Sequence, residues 1–174
     1  MSAISIRPAE PSDIAAITGI YAPAVRHGTA SFEIEPPDEA EMMRRYAALR
    51  DGDHPFLVAE FDGRVAAYAY AGPFRLRAAF RWTVEDSIYV EPAAQRRGLG
   101  RKLLHALIAE SEARGFRQML AVIGDAANAP SIELHRALGF RPVGTFSDVG
   151  FKFGRWLDSV LMQRTLGRGA ATPP

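Results

Sequence analysis

A chain of 174 residues, nearly half apolar and a quarter charged, is long enough to bury one substantial core and has the composition of a soluble globular domain. Its 21 Lys and Arg against 20 Asp and Glu leave a formal net charge of +1, which argues against a broad electrostatic surface for nucleic acid. There is no cysteine, so disulfides, thiolate nucleophiles and Cys-based metal centres are excluded, and no metal is expected.

No apolar run approaches the ~20 residues that span a bilayer. The N-terminus shows no signal-peptide pattern, so a cytoplasmic location and no membrane partner are expected. Ala3 to Arg7 reads as an opening strand. Pro11 suits a first helical turn, and Ile14, Ile17 and Tyr21 recur at helical spacing. Gly28 to Pro37 is irregular and carries an aromatic, Phe32. Asp38 with Glu41 has the form of a capping box, followed by Met42, Tyr46 and Leu49 along one helix face. Phe56–Phe61 and Arg64–Tyr70 are strand-like and flank Asp62-Gly63, the pair that a type I′ hairpin turn demands.

Thr83–Glu91 is a further strand. Leu103, Leu104, Leu107 and Ile108 line a helix running to about Arg114, with Gly115 as its C-cap. A strand over Arg117–Ile123, a short helix over about Pro130–Leu138 ending at Gly139, and strands over Phe140–Phe146 and Trp156–Gln163 follow. Residues 1–166 are expected to form one domain and 167–174, small and Gly- and Pro-containing, a loose tail. No repeat or linker interrupts them. The order predicts a mixed α/β domain with a single sheet.

Basic residues cluster around 75–81 and 96–102, as sites for small anions rather than a broad surface. The second cluster is the most informative segment. Gln95-Arg96-Arg97-Gly98-Leu99-Gly100 lies between a strand and a helix, where backbone N–H groups lack intrahelical partners and the helix dipole is positive. Gly98 and Gly100 let a phosphate approach the backbone, and Arg96, Arg97 and Arg101 add positive charge. A phosphorylated ligand is predicted here. The segment lacks the Lys-Ser/Thr ending of a P-loop, which argues against a kinase.

Strand–Gln-x-x-Gly-x-Gly–helix, then Asn128, then Leu134-His135-Arg136-Ala137-Leu138-Gly139-Phe140, resembles the GNAT N-acetyltransferase superfamily. Pro73 to Arg77, Trp82 to Val90, and Gly150-Phe151-Lys152 through Asp158 narrow the likeness to phosphinothricin and methionine sulfoximine N-acetyltransferases, over about Ile4 to Arg164. The resemblance implies a mostly antiparallel, splayed central sheet flanked by helices. It also implies a homodimer that moves the acetyl group of acetyl-CoA to the α-amine of a small glutamate-like amino acid analogue. Two alternatives remain at this point: a GNAT enzyme for a different small amine, and a catalytically silent coenzyme-A-binding module.

Carried onto this chain, the resemblance assigns Arg96, Arg97, Gly98, Leu99, Gly100 and Arg101 to the coenzyme's pyrophosphate, and Ile88, Tyr89 and Val90 to its pantetheine arm. Asn128 is a further contact to that arm, or an N-cap, or both. Glu85 is the candidate general base, since an amine must lose a proton before it attacks a thioester. Asp86 and Ser87 are expected to touch the acceptor, as are Arg75, Leu76 and Arg77, where arginine forks suit carboxylate or phosphinate oxygens. His135 occupies the slot where many relatives carry an acid for the leaving thiolate. A lone helical His is as readily structural, and both readings stand. Phe32 is either an aromatic wall over the acceptor or core. Phe153 stands where relatives often carry histidine, a departure that bears on acceptor choice.

Overall fold

The computed structural model describes residues 4–174, so Ala3 of the expected opening strand lies outside it. The elements are β1 (Ile4–Pro8), α1 (Ile14–His27), α2 (Glu39–Asp51), β2 (Phe56–Phe61), β3 (Arg64–Pro73), β4 (Thr83–Val90), α3 (Leu99–Ala113), β5 (Gln118–Gly124), α4 (Ala129–Ala137), β6 (Arg141–Lys152) and β7 (Arg155–Thr165), with a 3-10 turn at Pro11–Asp13 leading into α1. The strands form one seven-stranded sheet in the order β1-β2-β3-β4-β5-β7-β6. Every neighbouring pair is antiparallel except β4 and β5. This is the mixed α/β architecture expected, with helices on both faces of an open sheet.

Strand alternation sends successive side chains to opposite faces. On one face Leu57, Ala59, Ala67, Ala69 and Val84 pack against Leu99, Leu103, Leu104 and Leu107 of α3. On the other, Phe56, Val58 and Tyr68 pack against Ile14, Ile17, Tyr21 and Val25 of α1 and Met42 and Tyr46 of α2. Strand β2 is buried on both faces, which is why Phe56-Leu57-Val58-Ala59 is a continuous apolar run rather than an alternating one. Each large side chain so buried contributes ~1.5–3 kcal/mol against leaving it in water.

The local signals act as read. Asp62 and Gly63 both have positive φ, 53° and 78°, as a type I′ turn requires. Gly115 (φ 84°) ends α3 in a Schellman arrangement, with its N–H on Glu112 O and the Phe116 N–H on Ser111 O. Gly139 (φ 84°) does the same for α4, through Arg136 O and His135 O.

Two features differ from expectation. The capping box at α2 is half made: Asp38 Oδ1 accepts from the Glu41 N–H at 2.8 Å, but the Glu41 carboxylate turns along the helix to Arg44 (2.6 Å) and Arg45 (2.8 Å). Two guanidinium partners outcompete one backbone N–H for a carboxylate. The last two strands are also longer than the sequence suggested. β6 runs on to Lys152 through register breaks at Pro142/Gly144 and Phe146/Gly150, and turns at Phe153 (φ 52°) and Gly154 (φ 73°) into β7. At the C-terminus, the Arg117 guanidinium donates to the carbonyls of Gly169 and Pro173. Among the described residues, no helix is long and apolar enough to cross a membrane.

Asp38→Ala removes the side-chain N-cap of α2. It should lower stability by ~1 kcal/mol, a fall in melting temperature of ~2–4 °C by calorimetry, with no change in far-UV circular dichroism at 20 °C.

Candidate active site

The site begins where a ladder stops. β4 and β5 pair in parallel from Thr83↔Gln118 to Asp86↔Ala121, and no further. Beyond Asp86, β4 stays on β3 through Val90↔Ala67, while β5 stays on β7 through Gly124↔Ser159. A wedge opens between them, with a small cavity of about 60 Å³ lined by Asp86, Ser87, Ile88, Tyr89, Val122, Gly124, Asn128, Ser131 and His135.

Which backbone groups face this wedge follows from parity. The Glu91 N–H bonds Ala66 O, and the Phe74 N–H bonds Thr83 O, so odd-numbered residues of β4 turn their backbone toward β3. Trp82 O accepts from Arg117 N on the β5 side. Alternation therefore points the N–H and C=O of Ile88 and Val90 into the wedge, where β5 no longer meets them. Val90 O takes the Gln95 side chain at 3.3 Å.

From the wedge a groove of about 530 Å³ runs to the start of α3, lined by Ile88, Tyr89, Val90, Gln95, Arg96, Gly98, Leu99, Gly100, Arg101, Asn128, Pro130, Ser131 and Leu134. Arg96 (φ 60°) and Gly98 (φ 86°) both take the left-handed conformation, which curls the loop and presents the first N–H groups of α3 outward. A Cβ on Gly100 would sit 3.5–4.0 Å from Leu134, Val90 and Ile88, in the floor of this groove. The cradle read from the sequence is thus joined to the wedge. Arg97 is the exception, lying outside the groove with its guanidinium 5.3 Å over the ring of Phe61. Leu99 contributes backbone there, since its side chain is in the core.

Glu85 and Asp86 are adjacent and face opposite ways. Glu85, with Ser87 and Tyr89, faces α1 and α2. Half-buried, it lines a cavity of about 360 Å³ with Tyr21, Met42, Arg45, Leu49, Tyr68, Tyr70 and Ser87. Burial, with a smaller push from the Asp86 charge, raises its carboxyl to about 6. Arg45 at the same cavity is held by Glu33 (2.7 Å) and Glu41 (2.8 Å). The ring of Tyr89 also turns to this face, 4.8 Å from that of Tyr21, so Tyr89 meets the groove only at its edge.

Asp86 instead faces α4 and is buried against His135, Oδ2 to Nε2 2.9 Å. The structure therefore brings Asp86 to His135 and separates it from Glu85 and Ser87, with which the sequence grouped it. Burial alone would lower the His135 imidazole, but the Asp86 charge and bonds to Asp86 and Ser131 outweigh that and raise it. Asn128 is the N-cap of α4, its Oδ1 accepting from Ser131 N at 3.3 Å, and it lines both wedge and groove.

Arg75 lies over the rings of Phe74 (5.1 Å) and Phe80 (5.7 Å), at a second cavity of about 590 Å³. That cavity also contains Thr83 and Leu120, the latter being the β5 partner of Glu85. The two cavities therefore flank Glu85 on one face of the sheet. Leu76 is 96% exposed, and it and Arg77 line neither. Phe32 is exposed at 38% and lines none of these cavities; its ring packs where a Gly150 Cβ would be, 2.2 Å away.

Sequence reading missed Ser131, Tyr70 and Arg45, and gave Gln95 no role of its own. Ser131 stands four residues before His135, a helical spacing that could have flagged it. Gln95 opens the glycine motif. Tyr70 and Arg45 carried no local signal.

Residues 15–140 match the Acetyltransferase (GNAT) family. A phosphinothricin N-acetyltransferase of Alcaligenes faecalis is 51% identical over 172 residues, covering 99% of this chain and 87% of that protein. An L-methionine sulfoximine/L-methionine sulfone acetyltransferase of Salmonella typhimurium is 45% identical over 168 residues, covering 97% of this chain and 98% of that one. The crystal structure of a phosphinothricin acetyltransferase from Sinorhizobium meliloti in complex with AcCoA superimposes with a TM-score of 0.95 at 48% identity, over 98% of this chain and 92% of that one. The chain belongs to the GNAT acetyltransferase family.

A carboxyl held in this environment should titrate late. In a ¹³C carboxyl NMR titration, Glu85 should show a midpoint near 6, against the ordinary 4.5.

Proposed function

We propose that this protein transfers the acetyl group of acetyl-CoA to the α-amine of a small amino acid analogue of the phosphinothricin or methionine sulfoximine type. The observation that carries this reading is the wedge. Backbone N–H groups open into it, a phosphate-sized cradle lies at one end of its groove, and a half-buried carboxylate stands on the opposite face. The residues fit the coenzyme. Arg96, Arg101 and the N–H groups at Leu99, Gly100 and Arg101 hold the pyrophosphate, while Ile88, Val90 and Asn128 border the arm.

Glu85 accepts a proton from the acceptor's ammonium, directly or through a water, which frees the nitrogen lone pair. The nitrogen bonds to the thioester carbonyl carbon, and the N–H groups of Ile88 and Val90 are placed to meet the negative charge that develops on the carbonyl oxygen. The attacking nitrogen then gives up its second surplus proton, to solvent or to the departing sulfur, as the carbon–sulfur bond breaks, and the sulfur is a good leaving group that needs little help. Glu85 returns its proton to solvent before the next turnover. Arg75 bears a guanidinium for the acceptor's anionic end, and a polycationic amine would be repelled by it. Arg77 and Leu76 belong to the same loop and reach the acceptor only if that loop folds over. Ser87 shares the Glu85 cavity.

A homodimer accompanies this reading. The β6–β7 hairpin exposes Phe146, Val149, Phe151, Phe153 and Trp156, each more than half exposed, an apolar surface suited to a second copy. The enzyme would work in the cytoplasm, with access to acetyl-CoA.

Thiol release measured against L-phosphinothricin, L-methionine sulfoximine, L-methionine sulfone, common amino acids and spermidine tests the assignment. The first three should far outpace the rest, and turnover of spermidine alone would refute it. Because Glu85 must be ionised to act, kcat/KM should climb with pH through about 6 and level off above it. Glu85→Gln should lose that limb and ~10²-fold or more of kcat. Arg96→Ala with Arg101→Ala should raise the KM for acetyl-CoA ~10-fold while leaving kcat nearly unchanged.

A further inference from the structure

The steps above make no use of Asp86 and His135, although both are buried, at 7% and 2% exposure. The His135 Nδ1 lies 2.7 Å from Ser131 O, and its Nε2 lies 2.9 Å from Asp86 Oδ2. A carbonyl and a carboxylate only accept hydrogen bonds, and a neutral imidazole has a single N–H to give. A ring that donates from Nδ1 to Ser131 O therefore needs one further proton to bond Asp86 as well, while a ring that donates only from Nε2 leaves Nδ1 to the Ser131 hydroxyl, 3.5 Å away. In each form both ring nitrogens are committed. The ring also packs edge-on against Phe140, 4.9 Å between centroids at 87°. His135 O accepts from Phe140 N at 3.1 Å, closing the α4 terminus. Asp86 is the titratable group facing the ring, since Phe140 carries no charge and Glu85 lies on the other face of β4.

The location matters as much as the bonding. Asp86 is the last residue of β4 paired to β5, and His135 belongs to the helix whose first turn, at Asn128 and Ser131, borders the groove facing Ile88 and Val90. We propose that Asp86 and His135 clamp α4 to β4 at the apex of the wedge and so set the width of the coenzyme channel, with His135 a positioning residue and not the proton donor to the departing sulfur. To give up either N–H, His135 would have to leave a buried acceptor without a partner, and Asp86 already has one buried oxygen, Oδ1, in that condition. This inference rests on the acetyl-CoA reading of the groove.

Asp86→Asn separates the two roles. An Asn amide can donate to Nε2 of a neutral His135 that still donates from Nδ1 to Ser131 O, so the clamp survives without the extra proton. Activity and calorimetric Kd for acetyl-CoA should then stay within about fivefold of wild type, with the acid limb of the pH profile kept but moved slightly to lower pH, because Glu85 loses the smaller push from the Asp86 charge. Asp86→Ala and His135→Ala, which break the clamp, should each weaken acetyl-CoA binding ~10-fold or more, and the double variant should be no worse than either single. A kcat that falls ~100-fold in Asp86→Asn or His135→Ala with Kd unchanged would overturn the clamp in favour of proton donation. If the alanine variants fail to fold, Asp86→Asn still decides. Wild type that binds no acetyl-CoA would sink the reading of the groove and the clamp with it, whereas binding by wild type and its loss in Asp86→Asn would sink the clamp alone.

Discussion

Everything at this site depends on β5 leaving β4 after one short parallel ladder. Two continuous strands would satisfy each other's backbone and leave no N–H free for a ligand. The separation is propped from both sides. The loop after α1 wedges in beside Gly124, where an added Cβ would lie 2.5 Å from Thr29 O, so a side chain there would drive the loop out. Asp125 then fastens that loop, accepting from Thr29 Oγ1 at 2.9 Å and from Arg155 at 2.6 Å, while its other oxygen takes the Ala127 N–H at 3.0 Å. On the far side, α4 is held to β4 through His135 and Asp86.

The period of a strand then divides two neighbouring carboxylates between two environments. Glu85 points into a partly apolar cavity with no cation bonded to it among the described residues, and burial raises its proton affinity. Asp86, one residue on, is tied to an imidazole on the other face. Its charge is close enough to push Glu85 further up, so the two remain electrostatically linked although their side chains never share a cavity.

The Gly150-Phe151-Lys152-Phe153-Gly154 segment has a packing explanation. Lys152 is 3% exposed, and its Nζ donates to Gly28 O (2.9 Å) and Ser31 O (2.8 Å). Gly150 leaves space for the ring of Phe32, and Gly154 closes the turn. The hairpin therefore fastens the same loop that props the wedge. Phe153 lies 57% exposed with the Lys152 ammonium 5.1 Å over its ring.

Features written in residues a few positions apart were legible in the sequence. Asp62-Gly63 fixed a hairpin, Gly115 and Gly139 ended helices, and Gly98 turned the chain into α3, because positive φ is a local property. The long β6–β7 hairpin was not legible, since bulges at its register breaks disrupt the alternation that marks a strand. Neither was the partnership of Asp86 with His135, 49 residues apart, nor the flanking of Glu85 by Arg75 on one side and Tyr70 and Arg45 on the other. By itself the sequence determined most of the elements and the turns that join them. Only the tertiary structure decided where the β4–β5 ladder ends and which face each carboxylate meets, because those depend on how distant segments pack, and packing is a property of the assembled sheet and not of any stretch of chain.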